Sequence, residues 1–181
     1  MILWIDGTCG IGKSSVAKRI SELLLSDKVL LIESDECYKQ FANQRPILAM
    51  FCGGTPQNNK AFLAELKKII INGQETSELL IIAMTTTMVE CKEILIDYFD
   101  KDDDFVHIIL DADKDEIIER IQADDKERQK KENIADIDRS INFLNEYADA
   151  IHVNTNGKSI DEVSKEIITR FIKRKLIEKT L

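Results

Sequence analysis

Eight residues near the start of the chain, Gly7-Thr8-Cys9-Gly10-Ile11-Gly12-Lys13-Ser14, match the pattern G-x-x-x-x-G-K-S/T at every fixed position. The pattern works in one local setting, a loop that leaves a strand and opens a helix. Both neighbours are legible. Ile2–Asp6 reads as a short apolar strand, and Val16, Ile20, Leu23 and Leu24 recur at helical spacing across Lys13–Leu25. Three of the chain's seven glycines fall inside the eight residues, so the loop is a concentration and not background. Glycines let a backbone wrap a phosphate chain and aim successive N–H groups inward, and the next helix adds its positive end. Lys13 then has the reach for outer phosphates, and the Ser14 hydroxyl suits Mg²⁺. A dinucleotide fingerprint is excluded, because Gly7, Gly10 and Gly12 read G-x-x-G-x-G and not G-x-G-x-x-G.

Strand and helix signals alternate through the rest of the chain. Further strands are expected at Lys28–Glu33, Leu79–Met84 and Phe105–Leu110, with a fifth beginning at Ala150–Val153. Helices are expected around 60–72, 88–99, 113–123, 136–148 and 159–178. Two of these starts carry capping boxes, Asp113 with Glu116 and Ser159 with Glu162. Apolar strands separated by helices predict a parallel sheet covered on both faces, in a three-layer α/β/α arrangement. A length of 181 residues suits one domain, 1–181, with one sizeable core.

Composition narrows the function. A net charge of −8 opposes a general nucleic-acid or anionic-membrane binder, which needs a basic face. No apolar run approaches roughly 20 residues, so no membrane span is expected, nor is a secretory leader. Cys9, Cys37, Cys52 and Cys91 form no C-x-x-C pair and read as free thiols of a reducing, cytoplasmic setting. Cys9, inside the loop, is either alkylation-sensitive or a small residue that fits there. His107 and His152 sit in strand patterns and read as packed or edge residues, and no His/Cys cluster has metal spacing.

Two segments exceed a plain crossover. Residues 36–60 hold Pro46, Pro56 and the Gly53-Gly54 pair. They follow the carboxyl end of the second strand, where open α/β sheets place ligands. Residues 123–133 (ADDKERQKKEN) are almost wholly charged or polar. They read as a solvated connector or as part of a lid at about 121–135. The aromatics Tyr38, Phe41, Phe51 and Phe62 suit stacking on a base or, for most of them, helical core packing.

With the loop, the order of elements and three short signatures, the whole chain resembles the small P-loop kinases of the nucleoside, nucleotide and shikimate kinase group. It is also similar to their tunicamycin-resistance-type and chloramphenicol-phosphotransferase-type members. The resemblance implies a five-stranded parallel sheet in the order 2-3-1-4-5, and transfer of the γ-phosphoryl group of ATP to a small acceptor with Mg²⁺. Gly7 to Ser15, with Lys13 catalytic, would hold the nucleotide. In Glu33-Ser34-Asp35-Glu36, Asp35 is expected to activate the acceptor hydroxyl or to help Ser14 hold Mg²⁺, with Glu33 second; helix capping ahead of Glu36–Phe41 is the plain alternative. In Glu119-Arg120-Ile121, Arg120 is expected to stack on adenine. The group often carries a second arginine four residues on, where this chain has Asp124, so Arg128, taken as catalytic, or Arg139 would have to clamp the phosphates. In Asn154-Thr155-Asn156-Gly157-Lys158-Ser159 the loop is expected to pass adenine, with Asn156 beside it; an ordinary turn into a helix fits equally.

The third strand runs into Ala83-Met84-Thr85-Thr86-Thr87 with no acid, which opposes a motor, transporter ATPase or GTPase. Two functions stay open: a phosphotransferase acting on a nucleoside-like, nucleotide-like or antibiotic-like acceptor, and an ATP-dependent protein that sequesters a ligand without phosphorylating it. Either could be a monomer or a homodimer.

Overall fold

The computed structural model describes residues 1–52, 55–123, 134 and 136–172. Its centre is the strand that opens the chain, Ile2–Gly7 (β1), in which every residue is buried. Val29–Glu33 (β2), Leu79–Ala83 (β3), Phe105–Asp111 (β4) and Ile151–Asn154 (β5) complete one sheet in the order β2-β3-β1-β4-β5. All pairs are parallel, as the resemblance implied. In β1, Trp4 lies opposite Ile82 on one side and His107 on the other.

Strand alternation sends successive side chains to opposite faces. Leu3 and Ile5 join a core with Val16, Ala17 and Ile20 of Lys13–Leu24 (α1). Ile2 and Trp4 join a second core with Phe62, Leu63, Leu66 and Ile70 of Lys60–Thr76, so the sheet is covered on both faces. Tyr38 and Phe41, from Ser34–Gln44 (α2), pack with Phe62 in that second core. Phe51 departs from the expected packing: it ends the short helix Pro46–Phe51 (α3), none of whose residues is buried, and stands 77% exposed. With Lys60–Thr76 as α4, the next helical stretch (α5) has three parts, Val89–Cys91, a wider π segment at Lys92–Ile96, and Asp97–Phe99. Lys114–Ala123 (α6), Ile137–Leu144 (α7) and Ile160–Ile167 (α8) follow, the last running into a π segment at Ile168–Ile172. Among the described residues no helix is long and apolar enough to cross a membrane.

Only one of the two expected capping boxes forms. Ser159 accepts from the Glu162 N–H while the Glu162 carboxylate accepts from the Ser159 N–H. At Asp113 the backbone N–H instead donates to Asn156 Oδ1 at 2.8 Å. Glu116 turns away to Arg120 and to the Gly157 N–H. A guanidinium within reach outcompetes a neutral N–H for a carboxylate.

This asymmetry is testable. Ser159→Ala should lower stability in urea unfolding by about 1 kcal/mol, the usual worth of an N-cap. Asp113→Ala should cost about 0.5 kcal/mol or less, since no side-chain bond is lost.

Candidate functional site

β1 ends at Gly7 and α1 begins at Lys13, so the glycine loop emerges at the carboxyl edge of the sheet's central strand. Gly10 (φ 78°) and Gly12 (φ 103°) lie in the left-handed region that favours glycine. A Cβ on Gly10 would sit 2.3 Å from Ile121 Cγ1 of α6, a contact no side chain tolerates. The loop thus packs against α6 on one side and opens to a cleft on the other. The cleft holds about 830 Å³, within the range of small-ligand sites. Cys9, Gly10, Ile11, Gly12, Lys13, Ser14 and Ser15 all line it, whereas Gly7 and Thr8 do not. Thr8 is buried, with its hydroxyl unpartnered among the described residues. Lys13 Nζ donates to the Thr8 carbonyl at 2.7 Å and so spans the loop.

Asp35 and its buried neighbour Ser34 line the same cleft from the first turn of α2. Asp35 is not the helix cap: that position is Glu33, which makes no side-chain capping bond. The segment before α4 adds Thr55, Pro56 and Gln57, and the turn after β3 adds Thr85, Thr87 and Met88. Gln57 Oε1 accepts from both the N–H and the hydroxyl of Thr87, at 2.8 and 3.0 Å, tying these two segments together.

On the opposite flank, Arg120 of α6 joins three elements. Its guanidinium donates to the Ile11 carbonyl of the glycine loop (3.2 Å), to the Thr155 hydroxyl and carbonyl (3.0 and 2.9 Å), and to Glu116. These bonds all lie in the guanidinium plane. Asn156 does not line the cleft; its side chain holds the Asp113 N–H and pins the turn after β4 to the turn after β5. Arg139 lines the cleft from α7, paired with Asp136. Arg128, Asp124 and most of the lid segment 121–135 lie outside the described residues. Among those described, no three His, Cys, Asp or Glu side chains gather as a metal site.

Sequence reasoning overlooked Asp6. It is wholly buried at the end of β1, one residue before the loop. One carboxylate oxygen accepts from the N–H groups of Gly7 (2.7 Å) and Thr86 (3.0 Å); the other accepts from the Thr86 hydroxyl and from His107 Nε2 (3.2 Å). Because a carboxylate accepts only, His107 Nε2 carries the proton. Tyr147 closes the cluster, donating to the Thr86 carbonyl at 2.8 Å, and burial pushes its phenol far above the usual range. A charge ending a run as apolar as Ile2–Ile5 was the available signal, since a buried carboxylate survives only where donors surround it. The two histidines divide as read: His107 is packed, while His152 is on the edge strand beside Asp111.

The family described as an AAA domain matches residues 3–142. A search of curated proteins finds no significant match. Among solved structures, the chain is similar to a tunicamycin resistance protein from Deinococcus radiodurans (21% identity, 93% of this chain and 94% of that one, TM-score 0.71). It is also similar to a gluconokinase from Sinorhizobium meliloti (13%, 99% and 97%, TM-score 0.67). A shikimate kinase from Acinetobacter baumannii, in complex with shikimate, is likewise similar (16%, 97% and 94%, TM-score 0.63). At these identities the likeness is one of fold, that of the P-loop small-molecule kinases.

Two outcomes follow from the geometry. Asp6→Asn puts an amide NH₂ where donors now converge and should cost about 2–3 kcal/mol in urea unfolding. Cys9 lines the cleft, whereas Cys91 is buried, which pushes its thiol well up. Iodoacetamide should therefore label Cys9 in the native protein, roughly tenfold more slowly with saturating Mg-ADP, and Cys91 only after unfolding; peptide mass mapping reads both.

Proposed function

The chain belongs to the AAA domain family, matched over most of its length, and from that premise we propose that it is an ATP-dependent phosphotransferase acting on a small acceptor. The observation that carries the proposal is one cleft lined by the glycine loop, Lys13 and Ser14 on one side and by the Asp35 carboxylate on the other. A nucleotide fits this loop, because Gly12 leaves nothing within 4 Å of where a Cβ would stand, and the α1 N-terminus opens beside it.

The triphosphate lies along the loop amides. Lys13 exchanges the Thr8 carbonyl for phosphate oxygens, and the face of Arg120 meets the base. Ser14 and Asp35 would hold Mg²⁺, together with the nucleotide's own phosphates; the chemistry it supplies is charge neutralisation on those oxygens. Asp35 also orients the acceptor hydroxyl. That oxygen attacks the γ-phosphorus, a new O–P bond forms, and the bond to the β–γ bridging oxygen breaks. ADP leaves with the electron pair, and the hydroxyl proton passes to the Asp35 carboxylate. An exposed carboxylate needs no unusual proton affinity for this step. Positioning and charge stabilisation therefore carry most of the rate.

The test is ADP release from Mg-ATP with pooled nucleosides, sugars and antibiotics, and Lys13→Ala as the blank. At least one pool should raise the rate in the native protein. Asp35→Asn should lower the stimulated rate by about 10²- to 10⁴-fold with little change in ATP affinity. Tight ATP binding with no stimulation by any pool would favour ligand sequestration instead.

A further inference from the structure

The cleft is electrostatically divided, and the division follows the sheet order. The cations that line it are Lys13 on the glycine loop, Arg120 and Lys158 on the β4–β5 flank, and Arg139 at the start of α7; of these Arg120 is paired with Glu116, and Arg139 with Asp136, which lines the cleft beside it. On the β2–β3 flank the only charged lining residue among those described is Asp35. The rest is neutral: hydroxyls from Ser34, Thr85 and Thr87, the amide of Gln57, and the apolar chains of Met84 and Met88.

We infer that the acceptor is an uncharged or cationic hydroxyl compound with an apolar portion, and that carboxylate- and phosphate-bearing acceptors are rejected. The polyphosphate is drawn to the cationic side, which leaves the neutral flank for the acceptor. An anion there would meet the Asp35 carboxylate with no compensating cation among the described residues, and like-charge juxtaposition disfavours it.

Gln57 gives the pocket its donor. The N–H of Thr87 can only donate, so the amide atom it meets is Oε1, and the two N–H donors of Gln57 have no partner among the described residues. Thr85 donates its hydroxyl to the Gly7 carbonyl at 3.1 Å, so its oxygen is left as an acceptor towards the cleft. A hydroxyl that donates to Asp35 and accepts from Gln57 satisfies both groups. Methionines accommodate an apolar surface of irregular shape.

This inference rests on the kinase reading, and its test separates the two. The protein is loaded with Mg²⁺ and the β,γ-imido analogue of ATP. It is then titrated calorimetrically with matched pairs: uridine and uridine 5′-monophosphate, glucose and gluconate, methyl shikimate and shikimate. At least one neutral member should bind, with its anionic partner about tenfold weaker or worse. An anionic member that binds as tightly as its neutral partner overturns the inference, as does a panel in which no neutral member binds. If a neutral member binds but releases no ADP from Mg-ATP, the kinase reading fails and the acceptor class stands. Gln57→Glu keeps an oxygen for Thr87 while removing the donors. It should weaken the neutral ligand about fivefold and leave the ATP analogue's affinity unchanged; unchanged neutral binding would remove Gln57 from the site.

Discussion

A buried carboxylate holds the middle of this molecule together. Asp6 lies where the central strand gives way to the glycine loop, and its oxygens take up N–H groups from both the loop (Gly7) and the turn after β3 (Thr86). Without those donors a charge at zero exposure would cost several kcal/mol. With them, it fixes one wall of the cleft against another. Thr85 reinforces the joint by donating to the Gly7 carbonyl. Thr87 carries it outward to Gln57. The phosphate loop and the proposed acceptor pocket are thus ordered by one continuous polar chain that starts inside the core.

Arg120 performs the corresponding task on the other flank, joining α6, the glycine loop and the turn after β5. The two anchors differ in kind. Asp6 is sealed from solvent and ringed by donors, so it fixes position. Arg120 is partly open, lines the cleft and is paired with Glu116.

Much of this was legible in the sequence, for identifiable reasons. Strand alternation and glycine spacing are local signals, and they placed all five strands within about a residue or two. The sheet order came from resemblance, because pairing is a long-range property that no local pattern contains. Glu33 to Glu36 was read as closing the second strand, with Asp35 capping a helix from Glu36 as the plain alternative; the helix begins at Ser34, so Asp35 lies within its first turn and not at its cap. The second capping box failed for a non-local reason: Arg120 and Gly157 claim Glu116, and Asn156 claims the Asp113 N–H. Asp6 and Gln57 were overlooked because their partners lie 80 and 30 residues away, at Thr86 and Thr87.

The central claim is that the cleft transfers a phosphoryl group and does not merely bind nucleotide. Phosphorus NMR of the protein with Mg-ATP and an acceptor pool tests it most directly, because it observes the bond that forms. A new phosphomonoester resonance should grow in step with the β-phosphate signal of ADP, and be absent with Asp35→Asn. ATP that stays intact at saturating protein, or yields only inorganic phosphate, would contradict it.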